Sequence, residues 1–226
     1  MNIPKNENNI KNSGLVLYAN PICPYSQRIV LALKALNLAY EYHEVDFILK
    51  PSWLGQITPL NKVPVLKTEH GYLFESTAIL EYLNDISIEK LTPIDPYKRA
   101  RMYSWREMIE LLHELTLRYF SEDNEAELIR KGHNLSEKLI QFFVPENHEL
   151  VKRNISPSMM DICLIPLFVI LDVLNDNGPI SFFKNSSLQT LKSDLLNSDE
   201  GLAQYVNTRE NRAALLEFIQ SSNHQF

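Results

Sequence analysis

Residues 14–37, GLVLYANPICPYSQRIVLALKALN, contain the pattern that decides the fold. The short apolar run at residues 14–19 is followed by an Asn-Pro turn signal, and it predicts a buried strand. From Tyr25 to about Asn37, apolar side chains recur at helical spacing, which predicts an amphipathic helix. A buried strand that leads through a turn into a helix is the first part of a strand–helix–strand unit.

The elements that follow predict a small α/β sheet domain. YEYHEV (40–45) alternates like a strand, and its place after a strand and a helix favours a parallel pair with a right-handed crossover. Residues 63–74 indicate two short strands around a turn, which together form an antiparallel hairpin. Residues 75–85 predict a helix with Ser76 as its N-cap.

The chain changes character after Asp95, because no convincing strand follows. Pro96 suits the first position of a helix, and the residues after it carry apolar side chains at helical spacing. The same spacing predicts further helices near residues 125–143, 158–175, 187–197 and 208–221. The sequence therefore predicts an α/β domain followed by an all-helical domain.

The predicted organisation has four parts. The polar, Asn-rich start at residues 1–13 predicts a flexible tail. Residues 14–86 are expected to form the α/β domain. Residues 87–96, which contain two prolines, are expected to be a linker. Residues 97–226 are expected to form the all-helical domain.

Composition and charge narrow the class of protein. Of the 226 residues 45% are hydrophobic, and the formal net charge is −6 with no long run of Lys or Arg. Such a chain is disfavoured as a nucleic-acid binder, because phosphate binding needs concentrated positive charge. No apolar stretch reaches the roughly 18–20 residues of a membrane span, and the start lacks the apolar core of a secretory signal. We therefore expect a cytoplasmic protein that binds neither membrane nor nucleic acid.

Cys23 is the first candidate for chemistry. The two cysteines do not suggest a disulfide framework or a zinc site, so no metal is expected. Cys23 stands at the predicted helix start, where unpaired N–H groups and the helix dipole stabilise a thiolate and lower the thiol pKa. The alternative is a buried, unreactive cysteine, but the position between a strand and a helix favours a nucleophile. Cys163 lies in the most apolar predicted helix and is expected to be a core residue.

Ser26 occupies the second position of what would be a Cys-x-x-Cys motif. A serine cannot close a disulfide with Cys23, so any mixed disulfide on Cys23 must be resolved by an external thiol. The Ser26 hydroxyl has two interpretations. It donates a hydrogen bond to the Cys23 thiolate, or it only satisfies the first helical turn.

Two further stretches supply groups that recognise a peptide-like ligand. The Val63-Pro64 bond stands at the start of a predicted strand, where a cis proline would expose the backbone N–H and C=O of Val63 to strand addition. Glu75 and Ser76 open the next predicted helix. The Ser76 N–H and hydroxyl would bind a carboxylate, and Glu75 would pair with an ammonium group. Plain helix capping is the alternative.

These motifs occur in the order found in cytosolic glutathione transferases, which the chain resembles over roughly residues 14–220. Cys-Pro follows the first strand, Lys-Val-Pro-Val-Leu precedes the hairpin, and Glu-Ser opens the next helix. SPSMMDICLIPLF (156–168) resembles the family's capping motif, with Ser158 as N-cap and Asp161 reaching back to it. The resemblance implies a thioredoxin-like N-terminal domain and an all-α C-terminal domain, the glutathione transferase fold.

A cysteine after the first strand, together with LKPSW (49–53), resembles the omega-like class of that family. The resemblance implies that Cys23 is catalytic and that glutathione is bound by Lys50 at the glycyl carboxylate, by the Val63 backbone beside Pro64 at the cysteinyl part, and by Glu75 and Ser76 at the γ-glutamyl end. It also implies a second-substrate pocket, with Pro24, Tyr25, Tyr103 and Met108 as candidate wall residues. Core packing and dimer contact are the alternative for the residues of the second domain.

The function implied is glutathione-dependent thiol transfer or reduction, of the thiol transferase or dehydroascorbate reductase type. Glutathione is the co-substrate, and the partner is a small electrophilic, oxidised or glutathionylated substrate. Conjugation of glutathione is the alternative within enzymes. A non-catalytic regulator of the same fold, such as those bound to bacterial RNA polymerase, is the alternative outside enzymes. A homodimer is expected from the resemblance.

Overall fold

A computed structural model gives the structure of the chain. The residues that it describes form two compact units, which divide between Lys90 and Leu91. The described ranges are 14–46, 49–120, 124–143, 157–183, 185–196 and 201–222. The expected flexible tail at residues 1–13 lies outside them.

The first unit is a four-stranded mixed sheet with three helices. Its strands are β1 (Val16–Ala19), β2 (Glu41–Glu44), β3 (Val65–Thr68) and β4 (Gly71–Phe74), and its helices are α1 (Pro24–Ala35), α2 (Leu54–Ile57) and α3 (Ser76–Ile86). The strand order is β2-β1-β3-β4. The β1–β2 pair is parallel and the β3–β4 pair is an antiparallel hairpin. Both pairings confirm the sequence prediction.

The strand register brings one end of each of the four strands to the same edge of this sheet. Tyr18 near the end of β1 lies opposite Val65 at the start of β3, and Val65 lies opposite Phe74 at the end of β4. Because β2 runs parallel to β1, its C-terminal end reaches the same edge. The segments after β1, after β2, before β3 and after β4 therefore meet at this edge, which we call the site edge.

The two faces of the sheet are covered differently. Leu17 and Leu66 are fully buried. The helices α1 and α3 contact each other, and their fully buried apolar side chains are Ile29, Leu31, Ala32, Leu33, Ile79, Leu80 and Leu83. On the opposite face, Val65 packs with Leu54 of α2. This burial fixes the register, since a slip of one residue would exchange the two faces.

The start of α3 differs from the prediction by one residue. The helix begins at Ser76, and its N-cap is Glu75 with φ 66° and ψ 116°. The prediction of Ser76 as the N-cap is therefore wrong. Glu75 has a positive φ, which is a costly conformation for a residue with a side chain. The chain thus turns sharply from β4 into α3 at a residue that the sequence assigned to the site.

The second unit is helical wherever the structure describes it. Its helices are α4 (Pro96–Phe120), α5 (Glu125–Phe143), α6 (Met159–Asn177), α7 (Ser186–Leu196) and α8 (Arg209–Ser222), with a 3-10 turn at Leu202–Tyr205. They confirm the predicted helices. The helix α6 is the core of the unit, because nearly all its residues are buried. Within the described ranges, no helix is both long enough and apolar enough to span a bilayer.

The N-terminus of α6 is closed by the predicted capping box. The Asp161 N–H donates to Ser158 Oγ at 3.3 Å, and Ser158 N–H donates back to Asp161 Oδ2 at 2.9 Å. Two backbone N–H groups at the start of the most buried helix are satisfied in this way. The interaction fixes where α6 begins.

We expect Asp161→Ala to lower the free energy of unfolding by about 1–2 kcal/mol, because it removes the capping acceptor and leaves a partly buried N–H without a partner. Thermal unfolding followed by circular dichroism measures the shift. Glu217→Ala is the matched control, since Glu217 is an exposed acid within α8. Equal unfolding temperatures for the two variants would contradict the assignment.

Candidate active site

Cys23 lies between β1 and α1, at the site edge. It is the N-cap of α1, with Pro24 as the first helical residue, as the sequence predicted. The Cys23 N–H donates to the Asn20 carbonyl at 3.2 Å, and the Cys23 carbonyl accepts the Gln27 N–H at 2.9 Å. The side chain is only 5% exposed. A reactant thus approaches this sulfur from a narrow range of directions.

Asn20 holds the turn that carries Cys23. Its side-chain Nδ2 donates to the Val45 carbonyl at 2.9 Å, and its Oδ1 accepts the Ile22 N–H at 3.1 Å. Its own backbone N–H donates to Ser26 Oγ at 3.3 Å. These bonds tie the turn to the segment after β2 and to the first turn of α1. This role of Asn20 was not predicted from the sequence, although the Asn-Pro pair, separated from Cys23 only by Ile22, was its signal.

The electrostatics of Cys23 differ from the prediction of a lowered pKa. Burial raises the pKa of the Cys23 thiol above its ordinary value, because the charged thiolate loses its hydration. Hydrogen bonds from the Ser26 hydroxyl, from the N–H groups of Ser26 and Tyr25, and the charge of Arg28 act in the opposite direction but do not outweigh burial. The helix start supplies the expected donors, and the net direction is still upward.

Two groups near Cys23 were not singled out from the sequence. Arg28, on α1, is fully buried, and its guanidinium carbon lies 4.9 Å from the centroid of the Tyr25 ring. Burial, and then the nearby carboxylate of Glu44, raise the pKa of Tyr42, with smaller contributions from Tyr40 and Cys23. The Tyr42 phenol is therefore neutral at neutral pH. The only sign of these groups in the sequence was an arginine about one turn after Cys23 in the predicted helix.

Four of the candidate glutathione-binding residues lie at the site edge: Val63, Pro64, Glu75 and Ser76. The Val63-Pro64 peptide bond is cis and directly precedes β3, and Pro64 is buried. Ser76 is buried at the start of α3, and the Glu75 side chain is exposed beside it. The N-termini of α1 and α3 therefore lie at the same edge of the sheet. Each carries a partial positive charge that favours an anion.

The remaining predicted site residues are not joined to this group by a described contact. Lys50 is exposed in the segment after β2, close to residues 47–48, which the structure does not describe. Tyr103 and Met108 lie half-buried on α4 in the second unit. The Arg106 guanidinium lies 4.6 Å from the centroid of the Tyr103 ring. Their part in a second-substrate pocket stays a prediction.

Two side chains of the second unit that could in principle take part in catalysis, a thiol and an imidazole, belong to its core. Cys163 is fully buried in α6, as predicted, and His113 of α4 is fully buried with its Nε2 3.4 Å from the Cys163 carbonyl oxygen. Among the described residues, no group of three or more His, Cys, Asp or Glu side chains is arranged to hold a metal ion. Of the two cysteines, Cys23 is the one at the sheet edge where the candidate ligand-binding groups meet.

Known proteins resemble this chain in sequence and in fold. The profile of the family described as glutathione S-transferase, N-terminal domain, matches residues 17–89. Glutathione S-transferase omega-1 of Sus scrofa is 28% identical, over 92% of this chain and 88% of that protein. Glutathione S-transferase omega-1 of Mus musculus is 32% identical, over 70% of this chain and 67% of that protein. The crystal structure of dehydroascorbate reductase from Chlamydomonas reinhardtii superposes with a TM-score of 0.69 at 21% identity, over 92% of this chain and 99% of that chain.

Proposed function

The chain belongs to the glutathione S-transferase family, with similarity to its omega class, and from this premise we propose that it catalyses glutathione-dependent thiol transfer through Cys23. The observation that carries the proposal is the position of Cys23. The thiol lies at the N-terminus of α1, at the same sheet edge as the cis Val63-Pro64 bond and the start of α3. A single thiol beside groups suited to a peptide carboxylate and ammonium favours glutathione as the bound thiol.

The charges at the site edge match those of glutathione. Glutathione has two carboxylates and one ammonium group. We propose that the start of α3 at Ser76 binds the γ-glutamyl carboxylate and that the exposed Glu75 carboxylate pairs with the ammonium group. The Val63 backbone would pair with the cysteinyl part by strand addition. Lys50 would bind the glycyl carboxylate.

The first step is attack of the Cys23 thiolate on the glutathionyl sulfur of a glutathionylated substrate. A new sulfur–sulfur bond joins Cys23 to glutathione, and the substrate leaves as a thiolate that takes a proton from water. No net oxidation of the protein and substrate together occurs, since one disulfide replaces another. Because Ser26 is not a thiol, no neighbouring group in the turn resolves the new disulfide.

The second step uses glutathione from solution. Its thiolate attacks the glutathionyl sulfur of the mixed disulfide, oxidised glutathione leaves, and the electron pair of the broken bond returns to Cys23. The burial of Cys23 favours this outcome. Attack on the Cys23 sulfur itself would only exchange one glutathione for another, and a side chain that is 5% exposed is poorly accessible to it.

Thiol transfer from a glutathionylated peptide, measured alongside conjugation of glutathione to an aromatic chloride, tests the proposed function. We expect turnover of the glutathionylated peptide, and we expect that turnover to depend on Cys23 and not on Cys163. Efficient conjugation without thiol transfer would instead identify a conjugating enzyme. Binding without either reaction would identify a non-catalytic member of the fold.

We expect Glu75→Gln to raise the KM for glutathione by about tenfold, because it replaces an ion pair with a neutral hydrogen bond. The rate at which iodoacetamide alkylates Cys23 should not change, since Glu75 is absent from the groups that shift the Cys23 pKa. Glu69→Gln is the matched control, an exposed acid at the turn end of the same hairpin. A KM that is equal in the two variants would remove Glu75 from the binding site.

We also propose that the protein is a homodimer that works in a reducing compartment. The dimer rests on the family resemblance, and light scattering of the purified chain tests it. The compartment follows from the reaction, because a monothiol site needs a supply of reduced glutathione to complete each cycle.

A further inference from the structure

We propose that Ser26 is a hydrogen-bond donor to the reacting sulfur, with its hydroxyl proton directed at Cys23 by the backbone N–H of Asn20. The proposal rests on the proposed function of Cys23 as the thiol that exchanges with glutathione. It replaces the simpler interpretation, in which Ser26 only satisfies the first turn of α1.

The geometry fixes the direction of the Ser26 hydroxyl. Ser26 is 1% exposed, so water does not compete for its oxygen. That oxygen accepts the Asn20 N–H at 3.3 Å, which occupies one of its lone pairs. Cys23 is the N-cap of α1 and Ser26 is the third residue of that helix, so the two side chains meet at its first turn. From there the hydroxyl lowers the pKa of the Cys23 thiol. With the oxygen already engaged as an acceptor, its proton is available to the sulfur.

The position of Asn20 is itself fixed, so the relay is preorganised. The Asn20 side chain bonds to the Val45 carbonyl and to the Ile22 N–H, and its carbonyl accepts the Cys23 N–H. The same residue therefore holds both ends of the arrangement: the backbone of Cys23 and the oxygen of Ser26. No reorganisation of these dipoles is needed when charge develops on the sulfur.

Burial makes this donor necessary. A thiolate in a buried site loses hydration, and the groups that compensate it are few: donors of the first helical turn, and the charge of Arg28 on the same helix. The neutral Tyr42 of β2 adds no charge. The Ser26 hydroxyl is the largest of the compensating groups. A charge-assisted hydrogen bond of this kind is about twice as strong as one between neutral groups.

The donor acts at both steps of the exchange. Before the first step it raises the fraction of Cys23 that is thiolate. In the second step the Cys23 sulfur is the leaving group, and the same hydrogen bond stabilises the electron pair that returns to it. A lower pKa makes a thiol a weaker nucleophile but a better leaving group, so the benefit is greatest when release of Cys23 limits turnover.

The test measures alkylation of Cys23 by iodoacetamide against pH, in a Cys163→Ala background where Cys23 is the single thiol. We expect Ser26→Ala to move the profile upward by about one pH unit. The thiolate fraction near neutral pH then falls about tenfold, and the higher nucleophilicity of the remaining thiolate recovers part of it, so the rate falls about threefold. Ser26→Thr keeps a hydroxyl and should restore the profile. Ser104→Ala, which removes a hydroxyl on α4, is the control.

Two results would overturn the proposal. One is an unchanged profile in Ser26→Ala. The other is an equal shift in Ser26→Thr and Ser26→Ala, with circular dichroism and unfolding temperature like those of the parent, because packing and not donation would then be responsible. The readout does not depend on glutathione. If the profile shifts but the parent protein forms no glutathione adduct, the proposed function fails and the role of Ser26 stands. If the adduct forms but the profile does not shift, the proposed function stands and the role of Ser26 fails.

Discussion

Replacing Cys23 with serine is expected to lower glutathione-dependent thiol transfer by about a hundredfold or more. A serine hydroxyl ionises far above the working pH and cannot form a disulfide, so neither step of the exchange is available to it. The backbone should tolerate the change, since serine is a favoured N-cap and Cys23 is the N-cap of α1. The loss would therefore report the chemistry and not the fold.

Cys163→Ser is the matched control for this variant. Cys163 is fully buried in α6, so its replacement should cost stability without changing the rate of thiol transfer in the folded fraction. Thiol transfer that survives in Cys23→Ser and is lost in Cys163→Ser would reverse the assignment. Conjugation that persists or rises in Cys23→Ser would indicate that the site can activate bound glutathione without its own thiol.

The second large effect is a steep dependence of Cys23 reactivity on pH. Because burial raises the pKa of this thiol above its ordinary value, only a small fraction is thiolate at neutral pH. We expect alkylation by iodoacetamide to accelerate about tenfold for each pH unit from about pH 6 to pH 8, with no plateau below the ordinary thiol pKa. A plateau that begins near pH 6 would show a lowered pKa and would support the original sequence prediction.

The same pKa shift has a consequence for stability. Below the unfolded thiol pKa of about 8.5, both states keep the proton and the site contributes no slope. Above it the unfolded chain releases a proton that the folded chain retains, so the free energy of unfolding falls as the pH rises. Cys23→Ala removes this contribution. Its unfolding temperature should therefore decrease less than that of the parent between about pH 8 and pH 10.

The architecture was predictable because it depends on patterns that are local in sequence. The apolar run before Asn20, the helical spacing after Cys23 and the hairpin around residues 63–74 each predict one element, and strand–helix–strand order predicts the parallel pair. The capping box at Ser158 and Asp161 was equally local, since both partners lie within one turn. Burial of these patterns then fixed the register that the structure has.

The sequence predictions that were wrong or incomplete concern features that depend on the tertiary structure. The direction of the Cys23 pKa follows from how much of the site is buried, and the helix-start argument considered only the donors. The N-cap of α3 moved to Glu75 because the chain must turn out of β4 through a positive φ, which Ser76 does not supply. Asn20 was missed because its partners, Val45 and Ser26, are brought to it only by folding.

The most direct test of the central claim is the mass of the intact protein after incubation with oxidised glutathione. The account predicts a single glutathione adduct, located on Cys23 by peptide mapping, absent from Cys23→Ser, and removed by reduced glutathione. An adduct on Cys163 alone, or no adduct in the folded protein, would contradict it.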